Sequence, residues 1–410
     1  MAQVPRSRGN MVPAVLICTT ALSGCVGGDR VARNRPAPPV AAVPAEPAPA
    51  PSAAGERIGT GAVKVALVVP LTGQGSPVGT AMRNAARLAY EEGQQPDITI
   101  LVEDDQGTPT GAVEATERTL KGGADIVLGP LFAGSVRSAS ASAKTAGKPM
   151  IAFSTDVGVA TRGVYLLSFL PQPEVSRIVE EEVASGRRSF AALIPETAYG
   201  NAVEAQFREA VTNRGARIAA IERYPAGAPG PAVKRLAGVV GGPGATADAL
   251  FIPETADGLP AVAAALAGAG FSPARVRPIG TAPWNEPALF ALPALQGGRF
   301  AAPDRGGFSG FSARYQARFG TIPPRVASLA YDAVMLSATL ARQFGSQRFA
   351  EPTLTNASGF AGVDGTFRFS PDGTSDRALA VYEIRNNAVS VVSPAPRVLG
   401  KPGLAASAPQ

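Results

Sequence analysis

The residues best placed to do chemistry lie in one loop, Leu71-Thr72-Gly73-Gln74-Gly75-Ser76, between a strand-like stretch and a helix-like one. Val63 to Val69 is almost wholly apolar and rich in Val, as a strand buried on both faces must be. Pro70 ends it, and Pro77 suits the first turn of a helix. Val78, Met82, Ala85, Ala86 and Ala89 then recur at three- and four-residue spacing and give that helix an apolar face. Strand, small-residue loop and helix make the opening half of a parallel α/β unit. Such units bind ligands beyond the carboxyl ends of their strands, where a helix N-terminus offers free N–H groups. Gly73, Gly75 and Gly79 form a loose dinucleotide fingerprint, with Asp104-Asp105 ending the next strand. Pro70-Leu71-Thr72 separates the strand from the first glycine, which weighs against a nucleotide. No cofactor is expected.

The chain contains no histidine. That removes the usual general base, most zinc sites and the Ser-His arrangement, and no motif supports a Ser-Lys pair. Thr72, Thr155 and Glu196 read as binding or capping groups, so the expectation is a protein that is not an enzyme and holds no metal. The formal charge of +6 is spread along the sequence, without the basic run and interleaved aromatics of a nucleic-acid site. Arg187-Arg188 and Arg314/Arg318 read as solvated faces. A basic surface still suits the bacterial envelope, where anionic polymers and lipid head groups are abundant.

The first 24 residues read as an export signal. Arg6 and Arg8 start it, and Met11 to Leu22 is an apolar run too short to span a bilayer. Its end, Leu22-Ser23-Gly24-Cys25, resembles the bacterial lipoprotein signal, which implies lipid on Cys25 after cleavage. The alternative is an ordinary secretory signal that contains a cysteine. Cys18 falls in the discarded part, so no disulfide is expected within the mature chain. Residues 25–60 read as anchor and tether, with Pro alternating with Ala and Val. At about 3.1 Å per residue the tether reaches on the order of 100 Å. Val26, rather than Asp, points by resemblance to Gram-negative lipoproteins toward the outer membrane.

The rest alternates strand and helix. Ile98 to Val102 reads as a strand, Thr110 to Lys121 as a helix and Ile126 to Leu128 as a strand closed by Gly129-Pro130. Phe132 to Ala146 reads as a helix and Pro149 to Phe153 as a strand ending in Ser154-Thr155. This alternation predicts a parallel sheet with helices on both faces. Tyr165 to Phe169, followed by Pro171 and Pro173, breaks the rhythm and marks a crossing between lobes. A second set of units begins at 174–185 and runs through strands 190–194, 217–223, 248–252 and 275–279. Gly298 to Ala302 reads as the return crossing, followed by helices 308–319 and 325–344. Gly365 to Phe369 and Leu379 to Ile384 read as a hairpin about Ser370-Pro-Asp-Gly373.

Five fragments then carry a resemblance: VALVVPLTGQGSPVG from Val65, Gly129-Pro130, Ser154-Thr155, Tyr199-Gly200, and FSARYQARFGTIPPRVASLAYDAVMLSATL (311–340) with GVDGTFRFSPDG (362–373). In this order and spacing the span from Val63 to about Val398 resembles the type I periplasmic binding proteins, in particular the leucine-isoleucine-valine-binding branch. The resemblance implies an α/β fold of two lobes, each a mostly parallel sheet flanked by helices, joined by three crossing strands around a ligand cleft. Residues 63–170 with 302–348 are expected in one lobe, 171–299 with 349–395 in the other, and 396–410 as a loose tail.

In amino-acid-binding members, hydroxyls and N–H groups of the first lobe hold the ligand carboxylate, a tyrosine of the second covers it, and an acid takes the amine. By position Ser154 and Thr155 match the first role and Tyr199 the second. Thr72, Gln74 and the segment Leu131 to Ser135 complete the first-lobe side. Ser154 and Thr155 are equally well read as ordinary helix caps. For the amine, Glu254 is the candidate, although its loop departs from the family pattern. Trp284, the one tryptophan, is expected to stack on a ligand, to plug the cleft, or simply to pack. Two functions follow. The first is an outer-membrane lipoprotein resembling activators of penicillin-binding proteins, the peptidoglycan synthases, and is favoured by anchor, tether and the missing amine acid. The second is a solute-binding protein that carries a branched-chain amino acid or similar small ligand to an ABC transporter permease. In both, lipid is the only expected membrane contact.

Overall fold

The computed structural model describes residues 55–94 and 96–399. The signal, the lipidation site Cys25, the tether as far as residue 54 and the tail from 400 lie outside the described residues. No helix among those described is long and apolar enough to cross a membrane.

The first lobe contains β1 (Glu56–Ile58), β2 (Val63–Val69), α1 (Ser76–Gly93), β3 (Ile98–Asp104), α2 (Pro109–Lys121), β4 (Ile126–Leu128), α3 (Ala133–Thr145), β5 (Met150–Ala152) and β6 (Val164–Leu166). Its sheet has the order β1-β3-β2-β4-β5-β6. All neighbours are parallel except β1 on β3. The Val-rich run of β2 is covered on both sides, as its composition requires. Val65, Leu67 and Val69 face the cluster with Met82 and Ala86 of α1, while Ala66 and Val68 face Ala112 of α2 and Val136 of α3. α1 crosses β2 closely at Gly79, where a Cβ would lie 1.8 Å from the Pro70 carbonyl oxygen. β1 corrects the expected tether. Residues 56–58 belong to the fold, because an edge strand needs only one ladder, which β3 supplies.

The second lobe follows with α4 (Pro171–Ala184), β7 (Ser189–Pro195), α5 (Ala198–Asn213), β8 (Arg217–Tyr224), α6 (Gly230–Val240), β9 (Ala249–Phe251), α7 (Leu259–Gly268), β10 (Arg277–Gly280) and β11 (Arg299–Ala302). The chain then returns to the first lobe as α8 (Arg305–Phe319) and α9 (Ala327–Gln343). Leu329, Ala333 and Val334 of α9 join the cluster beneath β2. α10 (Glu351–Leu354) and the two-stranded β12 (Phe367–Phe369) and β13 (Ser375–Arg377) come next. β14 (Ala380–Arg385) and β15 (Ala388–Ser393) close the second sheet, whose order is β15-β14-β11-β10-β9-β7-β8.

Three passages therefore join the sheets: Leu167–Leu170, Pro303–Asp304 and Ala378–Leu379. The third lies well past the expected boundary at 349. Residues 349–377 pack in the first lobe, since Phe349, Leu354, Phe367 and Phe369 are buried in the same cluster as Tyr165 and Leu167. The Tyr165 and Phe369 rings lie 5.4 Å apart. The expected hairpin is also redrawn. Phe367–Phe369 pairs with Ser375–Arg377, while Ala380–Arg385 pairs with 388–393 across Asn386-Asn387. Both asparagines have positive φ, 53° and 59°, as the two central residues of a type I′ turn must.

Candidate functional site

A cleft opens between the lobes beyond the ends of β5 and β10, and Phe169 and Pro303 of the first two passages line it. Two cavities open there, of about 280 Å³ and about 410 Å³, and they share Phe169, Pro171 and Tyr199. The smaller is lined further by Glu174 and Asn285 of the second lobe, Pro303 of a passage and Arg325 of the first lobe. The larger reaches Thr155, Asp156 and Val157 after β5, and Gln172 and Ala198 across from them.

Thr155 and Tyr199, read from sequence as facing partners, come together on the larger cavity. Thr155 is exposed at the end of the β5 loop. Tyr199 stands in the first turn of α5, and its hydroxyl lies 2.6 Å from Thr281 Oγ1. Burial, aided by the charge of Glu174, pushes the phenol above its ordinary range, so it stays protonated. Thr197 caps the same helix by accepting from the Gly200 N–H at 3.0 Å, which fixes the angle at which Tyr199 leaves it.

The other expected residues are spent elsewhere. Ser154 is buried and accepts from the Asp156 N–H at 3.1 Å, bracing the turn that presents Thr155. Thr72 donates its hydroxyl to Asp104 Oδ2 at 2.5 Å, and Asp104 also accepts from the Leu71 and Thr72 N–H groups. Thr72 and Gln74 are exposed but line neither cavity. Leu131 packs against the core of the first lobe, and Ser135 is buried in the first turn of α3, its hydroxyl without a partner among the described residues.

One expectation is corrected outright, and for Trp284 the last of its three alternatives, simple packing, is the one found. Glu254 does not face the cleft as an amine acceptor. One carboxylate oxygen accepts from the Thr255 N–H at 2.7 Å and the other from the Tyr224 hydroxyl at 2.5 Å, which turns the group into its own loop. Trp284 neither stacks on a ligand nor plugs the cleft. It is fully buried in the second-lobe core, where Nε1 donates to the Ile252 carbonyl at 3.1 Å. The short helical turn Ala282–Trp284 sends Pro283 and Asn285 to the cavity and the indole inward.

Glu174 is what the sequence reading missed. It follows Pro171-Gln172-Pro173 in the first turn of α4, where an acid reads as no more than a favourable helix-end charge. In the fold it is buried and accepts from the Ala282 N–H at 3.0 Å. Burial pushes its carboxyl up to about 8, against the opposing pull of that N–H and of Arg325 and Arg377. Asn285 lines the smaller cavity and Gln172 the larger, and each holds a buried amide oxygen, Oδ1 and Oε1, without a hydrogen-bond partner among the described residues. Opposite them, Arg325 donates to Asp364 Oδ1 through Nε at 2.9 Å and lies 5.8 Å from the Phe169 ring. The cleft thus has acceptors on the second-lobe side and hydroxyl and guanidinium donors on the first. Both flank an apolar middle of Phe169, Pro171 and Pro303. Among the described residues no group of His, Cys, Asp and Glu could hold a metal ion.

Two α/β lobes, three passages and a cleft with binding groups from both sides define a hinged binding protein. The sequence matches the family described as periplasmic binding protein over residues 62–388, and the chain belongs to that family. Its fold is that of the type I members of the leucine-isoleucine-valine-binding type. It is similar to a putative branched-chain amino acid ABC transporter protein from Rhodospirillum rubrum, at 19% identity and a TM-score of 0.70 over 80% of this chain and 99% of that one. It is also similar to the Streptococcus pneumoniae substrate-binding protein LivJ in complex with isoleucine (20%, 0.55, 81% and 99%). A third is a solute-binding protein from Rhodopseudomonas palustris in complex with 3,4-dihydroxybenzoic acid (19%, 0.58, 83% and 99%). Comparison with curated proteins gives no match.

Proposed function

We propose that the protein is an exported solute-binding protein of an ABC transporter, with a small amino-acid-like ligand in the cleft. The observation that carries this is the cleft itself, where Thr155 of one lobe and Tyr199 of the other line a single cavity of about 410 Å³. The ligands named for the isoleucine and dihydroxybenzoate complexes share a carboxylate on a compact apolar body, which favours the same class here. In this reading Thr155 and the neighbouring N–H groups receive the carboxylate. Glu174, Asn285 and Gln172 receive an amine, and Phe169 and the prolines pack the side chain. The regulatory reading, an activator of penicillin-binding proteins, rests on the anchor, the tether and the absence of Glu254 from the cleft, and stands second.

Titration calorimetry against free amino acids and small aromatic acids tests this. Saturable binding at one site is expected, weakened at least tenfold in Thr155→Val, because a buried carboxylate loses a donor. If no member of either class binds, the transport reading fails.

Leu22 to Cys25 supports a lipid anchor on Cys25; Val26 favours the periplasmic face of the outer membrane, which suits the regulatory reading better than delivery to an inner-membrane permease. Labelling with a fatty-acid analogue should mark the wild type and leave Cys25→Ser unlabelled. Equal labelling of both contradicts the anchor.

A further inference from the structure

The arginines that look scattered in the sequence meet at one end of the second lobe. β7, β8, β10 and β11 run parallel, so their first residues lie at a common pole, and the antiparallel β14 ends there too. Each of these five strands brings arginine: Arg187-Arg188 before β7, Arg217 opening β8, Arg277 opening β10, Arg299 opening β11 and Arg385 closing β14. Arg275 stands just before β10 and is exposed. The cleft opens beyond the other end of β10. The seven residues of β7 put about 20 Å between cleft and pole.

Three carboxylates belong to this pole and do not neutralise it: Asp248, just before β9, accepts from the Arg188 and Ser189 backbone N–H groups at 2.8 and 2.9 Å, and two more lie beneath the array. Glu182, fully buried, is shared by Arg187, Arg299 and Arg277 at 3.1, 3.3 and 3.7 Å. Glu383, with 5% of its side chain exposed, is shared by Arg299 and Arg277 at 3.0 and 3.3 Å and by Arg385. Four guanidinium groups thus face two carboxylates. Positive charge is in excess, and the acids sit below it. Arg277 is held below the usual guanidinium range, first by burial and then, against Glu182, by Arg187 and Arg299. The exposed Arg188, Arg217 and Arg275 extend the array sideways. Strands about 4.8 Å apart make the row from β14 to β8 about 24 Å wide, far wider than one phosphate.

We infer that this pole is a docking surface for a membrane leaflet rich in anionic phospholipid, with the cleft turned away from it. An extended array matches a charged surface better than a single ion, and guanidinium forks suit phosphate oxygens. A membrane is favoured over a soluble polyanion by the chain's own leader, which reads as a lipid-bearing segment with a tether long enough for the pole to reach the bilayer. The inference stands apart from the choice of ligand, since no residue of the pole lines the cleft.

The test is co-sedimentation of the full chain carrying Cys25→Ser with vesicles of phosphatidylcholine containing about one third phosphatidylglycerol, at low salt. Arg188→Gln/Arg217→Gln/Arg275→Gln removes exposed charges and leaves both buried carboxylates paired, so the fold is kept. It should lower partitioning at least about tenfold. Lys121→Gln/Lys144→Gln/Arg342→Gln, an equal charge change on the first lobe, should alter it less than about twofold, and the corresponding three Arg→Lys changes should preserve it. Equal losses in the two Gln triples would reduce the effect to net charge and overturn the inference. So would binding of inorganic phosphate or double-stranded DNA, lost in the Arg triple, without binding to vesicles.

Discussion

Trp284→Ala is expected to cost about 4 kcal/mol of folding stability, in the range for emptying a buried aromatic site. The indole is fully buried, its centroid lies 6.4 Å from that of Phe300, and its N–H is the donor to the Ile252 carbonyl. Truncation leaves a cavity and an unpaired backbone acceptor together. The site has little room to relax, because the backbone at Gly280 already passes so close that a Cβ there would lie 2.2 Å from the indole. Trp284→Phe should cost less, keeping most of the volume and losing the hydrogen bond. Urea unfolding measures both. A loss below about 1 kcal/mol for the alanine variant would mean that the ring does not carry the second-lobe core.

Glu174→Gln is expected to stabilise the protein at alkaline pH by about 3 kcal/mol and to change little at pH 4. The sign follows from the proton count. With the native carboxyl at about 8 and an ordinary one near 4.5, the native state binds more protons than the unfolded chain between those values. Stability from this group is therefore complete below pH 4.5 and is lost as pH rises through 8. Asp332, pushed up by burial to about 7, and Asp105, pushed up to about 6, slope the same way over narrower windows. Gln is neutral throughout and can still accept from the Ala282 N–H, so the variant should lose the steepest part of the slope. An unchanged profile of melting temperature against pH would contradict a buried Glu174.

These residues also show what a single sequence discloses. The unbroken apolar run at Val63–Val69, the Pro77 helix start and the Ser154-Thr155 strand end were legible because each is a local pattern with a local cause. The crossings expected at 165–169 and 298–302 fell beside the passages at 167–170 and 303–304, since prolines interrupt the alternation there, but Arg299–Ala302 is itself a strand of the second sheet. The third passage was not. Nothing in Phe360, Phe367 and Phe369 says which of two cores they enter, and that depends on Tyr165, some 200 residues earlier. β1 went unread because three residues on a sheet edge carry no periodicity. Trp284 was ambiguous for a related reason, since a turn of three residues decides whether its ring or its neighbours face the cleft. Glu174 and the arginine pole are invisible locally. Their burial and crowding arise only when strand starts up to about 200 residues apart are laid side by side in one sheet.

The proposed solute-binding role requires the cleft to close on a small carboxylate-bearing ligand. It is tested most directly by thermal unfolding of wild type and Tyr199→Ala against free amino acids and small aromatic acids. A ligand at 100 times its dissociation constant stabilises the native state by about 2.7 kcal/mol, a rise of several degrees for a chain of this size. That rise is expected for at least one compound in the wild type, and its loss in Tyr199→Ala. A flat response across the whole panel, or a rise that survives removal of the Tyr199 ring, would contradict it.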